Sequence, residues 1–207
     1  DMLTQEDVDK YLPKFSPPER LDAADPVSFG MYATPEYYLE FRYEHDKAVK
    51  GAREIIAEAG KEFKALFGRD YSAMVEGYRL EDAETVIVAM GSICGTVKDA
   101  IDEMREAGKN VGLLKIRVFR PFPSEEVAKA LKGAKCIAVL DKNISLGAKG
   151  ATALEVKDAL YGSMVPVLNY ILGLGGRDVR KRDIKEIVAR AEKGQGDQFY
   201  GLRTEVL

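Results

Sequence analysis

The sequence predicts an α/β fold: a mostly parallel sheet between helices, preceded by one long helix. Three features carry this expectation. TVIVA and CIAVL are apolar throughout, as strands covered on both faces are. Segments of helical periodicity separate them from VGLLKIRVF and PVLNYILGL, and such alternation implies parallel strands joined by right-handed crossovers. Upstream of both, TPEYYLEFRYEHDKAVKGAREIIAEAGKEFKALFG reads as a single helix.

Residues 1–33 are punctuated by Pro13, Pro17, Pro18 and Pro26. Proline removes a backbone donor and fixes φ, so this segment reads as an extended connector after one short helical turn. Thr34 then stands as the cap of the long helix, with Pro35 at its first position, Glu36 in its first turn and Gly68 beyond its end, each the residue type that position favours. Ala48, Ala52, Ile55, Ala59, Phe63 and Leu66 recur at spacings of three and four, which predicts an apolar stripe. An unbroken helix here spans ~50 Å. Its N-terminal part carries Tyr37, Tyr38, Phe41 and Tyr43, more aromatics than one stripe buries and the composition of an interface.

The long helix and its linker occupy residues 34–74, and the α/β domain runs over 75–193. VEGYRL is its first short strand, TVIVAM the second. A helix follows from about Thr96 to Ala107, ended by Gly108, and then the strand VGLLKIRVF. Its Leu114, Ile116 and Val118 alternate with Lys115 and Arg117, so one face is wet near that end. PFPSEEVAKALKG predicts a turn and a helix capped by Ser124. CIAVLDKN, the helix ATALEVKDAL, the strand PVLNYILGL and a last helix over 181–193 complete the domain, and 194–207 is a polar tail.

The 207 residues carry a net charge of −3, which disfavours nucleic acid as a partner. No apolar run approaches the ~20 residues of a membrane span. The chain begins with Asp1 rather than Met and reads as a piece of a longer one. Cys94 and Cys136 are far apart with no C-x-x-C, so alone they supply neither an iron–sulfur cluster nor a zinc site; both read as small buried hydrophobes in a reducing compartment. GSICGT lacks the second glycine of G-x-G-x-x-G and the lysine of a P-loop, so it is either a plain strand-to-helix turn or an anion site at a helix start.

Taken in order, ATPEYYLEFRY, DAETVIVAMGSICGT, KIRVFRPFP, VLDKNISLGAKGA and ILGLGGRDV resemble the alpha subunit of 2-oxoacid:ferredoxin oxidoreductases, pyruvate:ferredoxin oxidoreductase (pyruvate synthase) in particular. The resemblance covers nearly all the chain and only the later part of that subunit. It implies a domain like the C-terminal domain of transketolase: a three-layer sandwich whose mostly parallel five-stranded sheet has one antiparallel edge strand, VEGYRL. It also places TVIVA between VGLLKIRVF and CIAVL. Ligands favour the strand C-termini where chain direction reverses, which nominates Gly91, Ser92, Thr96, Asp141, Asn143 and Ser145 as crevice residues.

The family reaction converts a 2-oxoacid, coenzyme A and oxidised ferredoxin into an acyl-CoA, carbon dioxide and reduced ferredoxin. It uses thiamine diphosphate, magnesium and iron–sulfur clusters, which the resemblance places in the beta, gamma and delta subunits or upstream of this chain. None of these cofactors, no metal and no catalytic residue is expected within the chain. Its expected role is architectural, in a cytoplasmic complex. A 2-oxoisovalerate enzyme and a non-enzymatic nucleotide-binding or interaction domain are the alternatives. Arg120, before Pro121, reads as a salt-bridge former or an anion contact. Arg177, Arg180, Lys181 and Arg182 crowd the start of the last helix, where the macrodipole is already positive. They either pair locally with Asp178, Asp183 and Glu186 or meet a partner's acidic surface or substrate phosphates.

Overall fold

The computed structural model describes residues 2–196 and 199–207; Asp1 of the connector and Asp197 and Gln198 of the tail lie outside the described residues. The chain divides into one unit ending at Ser72 and a second running from Ala73 to Leu207.

In the first unit, helix α1 (Gln5–Tyr11) is closed by a capping box: the Asp7 N–H donates to Thr4 Oγ1 and the Thr4 N–H to Asp7 Oδ2. Helix α2 (Pro35–Phe67) has Thr34 at its N-cap position and ends on Gly68 in the left-handed conformation, φ 72°. Tyr11 lies edge-on to Phe63 and Phe67, and its hydroxyl donates to the Ala59 carbonyl at 2.8 Å. The chain then doubles back so closely that a Cβ on Gly60 would stand 2.4 Å from the Ser72 backbone. These contacts cover Ala59, Gly60, Phe63 and Phe67; Val49, Ala52, Ile56 and Ala57 are also half-buried. The expected stripe is thus partly wrong: Ala48, Ile55 and Leu66 are exposed, because what α2 meets, a tyrosine and a returning strand of backbone, sits a fraction of a turn away. Tyr37, Tyr38, Phe41 and Tyr43 are exposed.

The second unit is a five-stranded sheet, β1 (Val75–Tyr78), β2 (Thr85–Met90), β3 (Val111–Ile116), β4 (Cys136–Asp141) and β5 (Val167–Ile171), in the order β1-β3-β2-β4-β5. Among the described residues only β1 is antiparallel, against β3; the other strand pairings are parallel. Helices α3 (Ile93–Glu106) and α6 (Lys181–Ala191) cover one face and α4 (Ser124–Ala130) and α5 (Ala151–Ala159) the other. The two-residue period of a strand divides β2 between them: Ile87 and Ala89 pack with Val97, Ile101, Ile184 and Ile187, while Val86 and Val88 pack with Val127, Ala153 and Val156. Both sides of β2 and β4 are therefore apolar.

VEGYRL stops pairing at Tyr78 because Arg79 takes φ 51°. Arg105 then pins the β1–β2 turn, donating to both Asp82 carboxylate oxygens at 2.7 and 2.8 Å and to the Arg79 carbonyl. Ser124 is the first residue of α4, and Pro123 rather than Ser124 occupies the cap. The four parallel strands β2, β3, β4 and β5 end at one edge of the sheet, where the candidate residues lie.

Candidate functional site

The β2–α3 connection is much shorter than the expected loop Gly91–Thr96. Gly91, at φ 73°, reverses the chain and α3 begins at Ile93. Ile93, Cys94 and Val97 are buried, so apolar packing pulls the helix start onto the sheet and leaves Thr96 within its second turn. Only Gly91 and Ser92 remain as turn residues, both exposed. Burial pushes the Cys94 thiol above its usual pKa.

Arg120 leaves β3 on the opposite face of the sheet from α3. Its guanidinium donates to Glu155 of α5 at 2.5 Å and lies 4.3 Å from the Phe119 ring centre.

The β4–α5 corner is closed from within. Asp141 is 1% exposed. Its carboxylate accepts from the Thr152 and Ala153 backbone N–H groups at 3.0 and 3.1 Å and from Asn169 Nδ2 at 2.9 Å. Asn143 donates weakly to Asp141 at 3.4 Å and accepts from the Ala151 N–H at 2.8 Å; Asn169 Oδ1 accepts from the Gly150 N–H. A negative charge thus sits on the positive end of α5, and it belongs to the chain itself. Ser145 takes no part: its N–H donates to the Lys149 carbonyl at the exposed loop tip. Among the described residues no hydrogen bond joins Gly91, Ser92 or Thr96 to this network. Asn169 is not among the residues the sequence nominates, although an asparagine interrupting the apolar run PVLNYIL is a signal.

The β5–α6 corner is open. Gly173, Gly175 and Gly176 take positive φ, and a cleft of about 620 Å³ is lined by this turn together with Arg177, Arg180, Arg182, Asp183, Tyr200 and Arg203. The four cations expected to act together separate. Lys181 leaves the cluster and, with Lys185, clasps Glu103 of α3, which drops the Glu103 pKa to about 2. Arg177 donates to the Gly201 carbonyl at 2.6 Å. Arg180 and Arg182 reach Asp178 and Asp183 only at 3.9 and 3.8 Å. Asp183 instead accepts from the Arg180 N–H at 2.8 Å. Glu186, expected as a local counter-charge, accepts from Arg190 and from Tyr200 Oη. It lies a turn further along α6, on the side facing those two partners. Glu103 and Arg203 were not foreseen: both are distant in sequence, and only packing brings them here.

Residues 83–184 match the family model described as pyruvate:ferredoxin oxidoreductase core domain II. Pyruvate synthase subunit PorA of Methanothermobacter thermautotrophicus is 48% identical over 99% of this chain and 53% of its own length. Ketoisovalerate oxidoreductase subunit VorA of Pyrococcus horikoshii is 47% identical over 93% of this chain and 50% of its own. Among solved structures, a split-gene transketolase aligns with a TM-score of 0.47 at 15% identity, over 58% of this chain and 42% of its own. The chain spans about half the length of the curated relatives it matches.

Proposed function

The chain belongs to the alpha-subunit family of 2-oxoacid:ferredoxin oxidoreductases, and from that premise we propose that it works within a pyruvate:ferredoxin oxidoreductase. The reaction is oxidative decarboxylation of pyruvate with coenzyme A, giving acetyl-CoA, carbon dioxide and reduced ferredoxin. The observation that carries this reading is the 48% identity to a pyruvate synthase subunit across 99% of the chain. A 2-oxoisovalerate enzyme is the second reading, favoured by the 47% identity to a ketoisovalerate oxidoreductase subunit.

The reaction needs thiamine diphosphate, magnesium and iron–sulfur clusters, and the described residues of this chain do not fit the metals. Among the described residues no three His, Cys, Asp or Glu side chains group to hold a metal ion, and Cys94 and Cys136 are both buried in the core. We assign the chemistry to the beta, gamma and delta subunits and to sequence outside these residues. The role of this chain is then architectural: it presents the exposed aromatics of α2, the edge residues Gly91, Ser92, Ser145 and Arg120, and the basic corner to its partners. We place the complex in the cytoplasm, consistent with two free buried cysteines and, among the described residues, no helix long and apolar enough to cross a membrane.

Affinity purification of the tagged chain from its native cell tests this. The expected result is co-purification with cluster-bearing subunits, in a complex that reduces a ferredoxin or viologen dye with pyruvate and coenzyme A. Faster reduction with 2-oxoisovalerate would select the second reading. Recovery of the chain alone, or of a complex active with neither acid, would overturn both.

A further inference from the structure

The β5–α6 corner gathers cations from three separate segments. Arg177, Arg180 and Arg182 come from the turn and the start of α6, and Arg203 from the tail. Lys142 comes from the end of β4: its Cε would lie 3.0 Å from a Cβ placed on Gly173. Among the described residues Lys142 and Arg203 have no ion-pair or side-chain hydrogen-bond partner, and Arg180 and Arg182 have only the two long ion pairs given above. A helix N-terminus repels cations, and the convergence of these residues here is only partly offset by the long pairs to Asp178 and Asp183. Two aspartates face the cleft, and one of them, Asp183, is committed to capping the Arg180 N–H.

The shape narrows the ligand. At about 620 Å³ the cleft is far larger than a lone phosphate needs and within the range of small-molecule sites. The glycine turn brings no side chains beyond Leu174, so ligand oxygens can approach the backbone. Guanidinium forks match phosphate oxygens two at a time.

We infer that this corner binds the diphosphate group of a small molecule, of the kind a nucleoside diphosphate carries, with Arg180, Arg182 and Arg203 as its principal contacts and Lys142 and Arg177 beside them. The inference is independent of which 2-oxoacid the complex uses.

Calorimetric titration of the whole chain with ADP and with inorganic pyrophosphate tests it. The expected result is saturable one-to-one binding with a Kd below about 1 mM, tightening as salt falls. The triple variant Arg180→Gln/Arg182→Gln/Arg203→Gln should bind at least about tenfold more weakly, since each lost charge-assisted contact is worth about that much, while its melting temperature holds. The single variants Arg203→Gln and Lys142→Gln, at sites away from α6, should each weaken binding in the same direction. A control of equal charge change, Lys129→Gln/Lys132→Gln/Lys193→Gln, should leave affinity within about twofold. No binding by the wild-type chain would overturn the inference. So would equal losses in the triple variant and the control, or tighter binding of a glutamate-rich peptide than of either diphosphate.

Discussion

Two neighbouring corners of the sheet solve the same electrostatic problem in opposite ways. Both follow parallel strands whose pairing joins them, β4 and β5, and both lead into a helix whose first N–H groups point outward and carry partial positive charge. At the β4–α5 corner the chain supplies its own anion. Asp141 is buried and held by donors from α5 and β5, and Gly150 is packed so tightly against it that a Cβ would stand 2.2 Å from the carboxylate. At the β5–α6 corner Asp183, in the first turn of α6, accepts from the Arg180 N–H and lies 3.8 Å from Arg182, and arginines line a cleft. The first corner is closed and structural; the second, on our proposal, takes its anion from outside. Whether a given helix start takes an anion from outside depends on whether the chain's own side chains already fill the position.

The largest effect belongs to the closed corner. Asp141→Ala removes the acceptor of three strong hydrogen bonds and leaves the Thr152 and Ala153 N–H groups and Asn169 buried without it. Bonds to charged groups contribute about 1.5–3 kcal/mol each and are not additive, so we expect a loss of about 3–4 kcal/mol in denaturant-induced unfolding. A loss under about 1 kcal/mol would mean that water replaces the carboxylate and the corner is not closed. Gly150→Ala tests the same corner from the packing side. The backbone there, at φ −62°, accepts alanine without strain, so the cost is the overlap with Asp141 alone. Overpacking a core costs about 1–3 kcal/mol, and a neutral substitution would contradict the geometry.

A smaller effect distinguishes Lys181 from its arginine neighbours. Glu103 holds Lys181 and Lys185 against α3, and these bonds lower its pKa to about 2 from an ordinary 4.5. A carboxylate with a depressed folded pKa stabilises the fold above its unfolded pKa and loses that contribution as pH falls through the folded one. The melting temperature of Glu103→Gln should therefore lie below that of the wild-type chain at neutral pH, and the gap should close between about pH 4.5 and 2. A gap that persists at pH 2 would show that the substitution acts through packing and that Lys181 remains free to join the cleft.

Much of the fold was legible because the signals were local. TVIVA and CIAVL are apolar on both faces, Pro35 and Gly68 bracket α2, and alternation of strand and helix needed no long-range information. The errors arose where a distant segment decided the outcome. The covered stripe of α2 is set by Tyr11 and the chain around Ser72, neither of which periodicity within the helix can report. The start of α3 moved to Ile93 because burial of Ile93 and Cys94 against the sheet outweighed the glycine and threonine that read as loop. At the candidate residues the limit was sharper. The arginines of GGRDVRKRD are visible as an excess of charge, with local pairing and an outside partner both open; the local pairs Arg180–Asp178 and Arg182–Asp183 form, at 3.9 and 3.8 Å. The structure gives Lys181 to Glu103, Glu186 to Arg190 and Tyr200, and Arg203 to the cleft. Charge pairing across a fold is a property of packing, and spacing along the chain does not reveal it.

The contrast between the corners is tested most directly by amide chemical shifts of the 207-residue chain during titration with pyrophosphate. The account predicts saturable shifts at Gly173, Gly175, Gly176, Arg177 and the first turn of α6, and none at Gly150, Ala151, Thr152 and Ala153, where Asp141 already occupies the anion position. Shifts at the start of α5 equal to those at the start of α6, or shifts scattered over every basic surface without saturation, would contradict it.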